Sequence, residues 1–185
     1  MTALLFQLYQ HFNRLSQVTG KLLRYLSIAM MLCLSTVALL RYGFNISFIA
    51  LQELVTYLHA TVFMLGIAYT LSQDEHVRVD IFYQRFSLRG KAWVNAIGGI
   101  VFLMPICGYF LFSSWGFVSQ SWQIHEGSVD PGGLPAVFLL KSLIPAMAIT
   151  LMLQGLAEIL KNLLFLMRVP GTEALLAEQG GHEHV

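Results

Sequence analysis

The chain has 185 residues, of which 56% are hydrophobic and only 11% are charged. That charged fraction is about half of what a soluble domain carries, and the formal net charge of +1 conceals that the charges avoid four long apolar stretches. This composition excludes a soluble globular domain and a basic nucleic-acid-binding protein, and it predicts an all-α integral membrane protein.

The first element is an amphipathic segment at residues 3–19. One side of its helical wheel is apolar and the other is polar. The apolar side contains Leu4, Leu5, Leu8, Tyr9, Phe12, Leu15 and Val18, and the polar side Gln7, Gln10, Asn13, Arg14 and Gln17. This pattern predicts a helix that lies in the interface of the lipid bilayer.

Four apolar segments follow, at about residues 25–46, 49–72, 93–118 and 134–167. Each is long enough, at 1.5 Å per residue, to cross a hydrocarbon core about 30 Å thick. The last would measure about 51 Å if it were continuous, so we expect Pro145 to kink it. We therefore predict one four-helix membrane domain at 1–169 and a disordered tail at 170–185.

The orientation follows from the positions of lysine and arginine. Three precede the first span and four lie in the 73–92 loop, whereas the 119–133 loop has none. Because positive residues favour the cytoplasmic side, we expect both termini and the middle loop to be cytoplasmic. The first turn and the 119–133 loop would then face outward.

Polar residues on the second span are candidates for intramembrane or partner contacts. Gln52, Glu53, Thr56 and His59 share one side of the helix. A charge at the bilayer centre costs about 2.5 to 3.5 kcal/mol, so Glu53 needs protein around it or a place near the interface. Glu53 either carries an ion or is a structural partner of Arg41 or of another subunit; we favour the structural role, because it begins only about 6 Å into the helix.

Lys141 and His59 each allow two interpretations. Lys141 either extends its ammonium to the outer surface or bonds to a partner helix. His59 is the only histidine deep in a span, so one chain does not supply the two axial ligands of a membrane haem, and we expect an interhelical hydrogen bond instead. Because no catalytic, phosphate-binding or zinc motif occurs, we expect no enzymatic activity and no bound cofactor.

Several short motifs resemble one transporter family in their order along the chain. They are Arg41-Tyr42-Gly43-Phe44-Asn45, Leu51-Gln52-Glu53-Leu54, Gly66-Ile67-Ala68-Tyr69, His76-Val77-Arg78-Val79-Asp80, Glu126-Gly127-Ser128, Asp130-Pro131-Gly132-Gly133-Leu134-Pro135 and Gln154-Gly155-Leu156-Ala157-Glu158. Over residues 20–165 the chain resembles the small membrane (Q-type) subunit of tripartite ATP-independent periplasmic (TRAP) transporters. The second half resembles the branch labelled for mannitol or chloroaromatic compounds.

The resemblance implies a scaffold subunit in the bacterial inner membrane. Its partners would be a large multi-span subunit, which holds the substrate and sodium sites, and a periplasmic substrate-binding protein that delivers a small organic acid or related solute. Two alternatives remain open: a stand-alone ion-coupled transporter that uses Glu53, and a membrane electron-transfer subunit.

Overall fold

The computed structural model describes residues 2–73, 86–169 and 172, and every regular element in this part of the chain is helical. The elements are α1 (Thr2–Phe44), α2 (Ile49–Ser72), α3 (Leu88–Gly98), a π-helical segment (Gly99–Leu103), α4 (Met104–Gln123) and α5 (Val137–Leu166). Because α3, the π-helical segment and α4 follow one another without a break, they form one long helical stretch.

Four helical stretches in the described residues are long and apolar enough to cross a membrane: Leu4–Phe44, Ile49–Ser72, Leu88–Gln123 and Val137–Leu166. The four predicted spans are therefore confirmed, the second with its predicted bounds and the other three with different ones. The third begins five residues earlier than expected, because Ser87 caps α3 by accepting a hydrogen bond from the Gly90 N–H at 3.2 Å.

The amino-terminal helix is continuous through residues 20–24. The amphipathic segment at 3–19 and the first span are thus parts of one helix of 43 residues. Tyr9 is buried, whereas Leu4 and Val18 from the same apolar side are more than half exposed. That residues 3–19 lie along the membrane surface stays a prediction.

The ends of α4 and α5 share one hydrogen-bonding pattern. His125 follows α4 with φ 47°, and the next N–H, of Glu126, donates to the Ser121 carbonyl at 3.0 Å. Arg168 follows α5 with φ 56°, and the Val169 N–H donates to the Leu164 carbonyl at 3.2 Å. A residue with positive φ after a helix lets the next backbone N–H donate to a carbonyl of the last turn, which would otherwise lack a hydrogen bond. It also turns the chain sharply, which places Glu126 just beyond the end of α4.

The chain divides into two compact units. The first contains the described parts of Met1–Gln17, Ala68–Gly108 and Thr150–Val185, and the second contains Val18–Ile67 and Tyr109–Ile149. The second unit thus includes both connections that the charge pattern predicts to face outward. The first includes the described residues nearest both chain ends and those that flank residues 74–85.

Close backbone packing in the first unit depends on two glycines. A Cβ on Gly99 would lie 2.7 Å from Cγ1 of Ile159, and one on Gly155 would lie 2.5 Å from Cδ2 of Leu103. Small residues let helices in membranes approach closely, so these positions bring the π-helical segment against α5. The π-helical segment itself is closed by a bond from the Met104 N–H to the Gly99 carbonyl.

Pro145 lies inside α5, which continues to Leu166 as one helix. The predicted kink at Pro145 stays a prediction, and the predicted single domain at 1–169 does too. The predicted disordered tail at 170–185 lies outside the described residues, apart from Thr172.

Candidate functional site

Glu53 is bound by a loop that is distant in sequence. It lies in the first turns of α2, and its Oε1 accepts a hydrogen bond from the Ser128 hydroxyl. Its Oε2 accepts one from the Leu134 backbone N–H at 2.6 Å. Both carboxylate oxygens are therefore occupied within the chain, and neither donor is Arg41. We call Glu53, Ser128 and the Leu134 N–H the carboxylate clasp.

The loop that supplies these donors, residues 124–136, is folded back on itself. The Ser128 N–H donates to the Leu134 carbonyl at 3.0 Å, and the Ser128 hydroxyl accepts from the Asp130 N–H at 3.1 Å. Gly133 packs against the clasp: a Cβ there would lie 2.5 Å from Cβ of Ser128 and 2.7 Å from Oε1 of Glu53. Only glycine fits without displacing the clasp.

Lys141 of α5 forms an ion pair with Glu126, the first residue after the turn that ends α4. The two side chains are 2.5 Å apart, Nζ to Oε2, and the ammonium lies 4.0 Å from the ring centroid of Phe117. The hydrogen bond from Lys141 holds the pKa of Glu126 below its ordinary value. The Glu126 carboxylate is therefore ionised at neutral pH, and the stability that it contributes is lost as the pH falls through that lowered pKa.

A cleft of about 320 Å³ lies beside these two contacts. It is lined by Glu53, Thr56, Tyr57, Glu126, Gly127, Ser128, Val129, Asp130, Val137 and Leu140. Its carboxylates are mostly engaged, and no cluster of three or more metal-ligating side chains occurs in the described residues. The arrangement fixes a loop to two helices rather than offering an open cation site.

The other sequence-predicted polar residues near this cluster bond locally. Gln52 donates to the Ser47 hydroxyl at 2.9 Å, and Thr56 donates to the Gln52 carbonyl at 3.4 Å. Arg41 is exposed, with its guanidinium 6.0 Å from the ring centroid of Tyr42. The structure therefore brings Glu53 and Lys141 to one loop and leaves Arg41 outside the clasp.

His59 differs from the other candidates. Its imidazole is exposed and stacks on Phe63, with the ring centroids 6.0 Å apart. Within the described part of the chain it makes no hydrogen bond to another helix. The interhelical bond predicted from the sequence would therefore need a partner other than the described residues of this chain.

The first unit holds a second polar cluster, centred on α5. Gln154 is fully buried and donates to Asn13 at 3.5 Å and to Glu158 at 3.4 Å, while Glu158 forms an ion pair with the buried Lys161. Asn162 donates to the Glu158 carbonyl at 2.8 Å. Because most of these side chains are enclosed by protein, the cluster ties α5 to α1.

Sequence reasoning missed the partners of the charged residues. The sequence showed Glu126, Ser128 and Gly133 only as parts of loop motifs. One signal for the ion pair was present: the 119–133 loop has no lysine or arginine, and Lys141 is the only charged residue in the apolar part of the last span that follows, so a pair between Lys141 and Glu126 was favoured. The cluster in the first unit had a clearer signal, since Gln154, Glu158 and Lys161 recur at helical spacing.

These observations define the class of the protein: a multi-pass membrane protein, helical in every regular element of its described residues, in which Glu53 and Lys141 are bonded to residues of the same chain. The chain belongs to the family described as tripartite ATP-independent periplasmic transporters, DctQ component, whose model matches residues 12–165. This family comprises transporter components, not enzymes. Neither a comparison with curated proteins nor one with solved structures found a match.

Proposed function

We propose that the chain is the small scaffold subunit of a sodium-coupled, binding-protein-dependent transporter. It assembles with a large multi-span membrane subunit that holds the substrate and sodium sites. A periplasmic binding protein supplies the substrate, a small organic acid or a related solute of the kind suggested by the resemblance to the mannitol or chloroaromatic branch. The chain resides in the bacterial inner membrane with both termini in the cytoplasm.

The observation that carries this proposal is the carboxylate clasp. A stand-alone carrier that couples an ion through Glu53 needs this carboxylate free to exchange the ion between the two sides of the membrane. Glu53 instead has both oxygens bonded to a loop of its own chain. A carboxylate used in this way fixes structure, which suits a static subunit better than a stand-alone transporter.

The electron-transfer alternative has less support. A haem bound by two histidines needs both at membrane depth, and His59 is the only histidine inside α2–α5. We therefore expect the purified protein to show no Soret absorption band.

Orientation gives the first prediction. In a chain with Cys33 and Cys107 replaced by alanine, a cysteine at Val129 should react with a membrane-impermeant maleimide from outside intact cells, because that side chain is 98% exposed in the outward loop. A cysteine at Gln84, which lies outside the described residues, should react only after the membrane is opened. The reverse pattern of labelling would show that the orientation is inverted.

Assembly gives the second prediction. When the affinity-tagged chain is co-expressed with the large membrane subunit of its transporter, the two should co-purify in mild detergent in a fixed ratio. An untagged chain expressed with the same partner provides the background. Recovery of the tagged chain without the large subunit, at a yield that shows the chain is folded, would contradict the proposed scaffold role.

A further inference from the structure

The exposed residues of α2 form a narrow stripe. Besides Leu54, the exposed side chains of this helix are those of Thr56, His59 and Phe63. At 100° per residue these three fall within an arc of about 60°, whereas Leu54 points to the other side. We call Thr56, His59 and Phe63 the α2 stripe.

The depth of His59 makes this stripe unusual for a lipid-facing surface. His59 follows Ile49 by ten residues, so it lies about 15 Å along a helix that is about 36 Å long, near the middle of the span. Hydrocarbon chains offer no hydrogen-bonding partner to an imidazole. Polar side chains at that depth almost always face protein or a water-filled cavity.

The described contacts within the chain give the His59 imidazole no hydrogen-bond partner. Thr56 already donates to the Gln52 carbonyl, and Phe63 covers one face of the imidazole ring. The two ring nitrogens of His59 still lack a hydrogen-bond partner among the described residues. The exposed hydroxyls of Ser35 and Thr36 in the first span and of Ser113 in α4, by contrast, each donate to a backbone carbonyl of their own helix.

We propose that the α2 stripe is the surface that binds the large membrane subunit, through a transmembrane helix that presents a hydrogen-bonding side chain to His59. Phe63 beside it supplies apolar contact area, and Thr56 permits close approach of the partner backbone. This inference rests on the proposed function, because the family is one of multi-component transporters, and it names the helix that makes the contact. A second copy of this chain is the competing occupant.

Photo-cross-linking tests the location directly. Benzoylphenylalanine is placed at Phe63 in the co-expressed complex, with a matched complex carrying it at Phe112, which is 90% exposed on α4 and has only apolar and small neighbours in sequence. We expect an adduct with the large subunit from position 63 and only lipid adducts from position 112. An adduct between two copies of this chain from position 63, or an adduct with the large subunit from position 112 alone, would overturn the inference.

Substitution of His59 tests the chemistry. His59→Gln keeps a donor and an acceptor, so it should retain the large subunit in co-purification, whereas His59→Leu should lower the recovered amount roughly threefold or more. Equal recovery for both variants would overturn the role of the hydrogen bond. If the unsubstituted chain fails to bind the large subunit at all, the proposed function itself fails; if it binds and the adducts arise elsewhere, only this inference does.

Discussion

Glu53→Leu should lower both the yield and the melting temperature of the purified chain, by about 3 to 6 °C, while Glu53→Gln should stay close to the unsubstituted protein. Leucine leaves the Leu134 N–H and the Ser128 hydroxyl without their acceptor. Glutamine fits the clasp, because its carbonyl accepts from the Leu134 N–H and its amide donates to the Ser128 hydroxyl. Thermal unfolding in detergent measures the difference.

The same pair of variants separates structure from ion transport. If Glu53 carries an ion, Glu53→Gln abolishes transport by the assembled complex while leaving its assembly and melting temperature intact. If Glu53 holds the loop, transport follows stability, and Glu53→Gln remains active. Loss of transport in a fully assembled, thermally stable Glu53→Gln complex would therefore refute the structural role.

Gly133→Ala should destabilise the 124–136 loop more than any other single-methyl addition in the second unit. The new methyl group would meet Ser128 and Glu53 together, at distances that no real Cβ tolerates, so the clasp must open to accommodate it. Overpacking of this kind costs about 1 to 3 kcal/mol. Faster proteolysis within residues 124–136 and a lower melting temperature should reveal the effect.

Gly116→Ala is the matched control for this substitution. A Cβ at Gly116 meets nothing within 4 Å, and its position inside α4 favours alanine over glycine. Gly116→Ala should therefore leave the loop resistant to protease. Equal sensitivity of the two variants would mean that Gly133 is not held by close packing and that the clasp is looser than the structure indicates.

The spans were predictable because hydrophobicity along a helix is a local property. Twenty consecutive apolar residues suffice to indicate a crossing, and Ile49–Ser72 has the predicted bounds. The π-helical segment at Gly99–Leu103 was not predictable, since it depends on how Gly99 packs against Ile159, a contact between residues sixty positions apart. The sequence did not predict that residues 3–19 and the first span form one continuous helix, α1. An amphipathic pattern shows which side of a helix is polar, but it does not show whether that helix ends before the apolar segment that follows.

The candidate site was predictable only in part. Sequence spacing correctly put Gln52, Glu53, Thr56 and His59 on one helix and singled out Lys141 as a charge within a span. It did not reveal that Glu53 bonds to Ser128 and Leu134, which are 75 and 81 residues away, because one of the donors is a backbone N–H that any residue carries. These residues come together only in the folded chain, where the 124–136 loop packs against α2.

Uptake into proteoliposomes tests the scaffold role most directly. The chain is reconstituted alone, and in parallel with the large membrane subunit and the binding protein under an inward sodium gradient, with a radiolabelled small organic acid that the complete system takes up. We predict uptake by the complete system and none by this chain alone at equal protein density. Sodium-dependent uptake by the chain alone would contradict the account and identify a self-sufficient transporter.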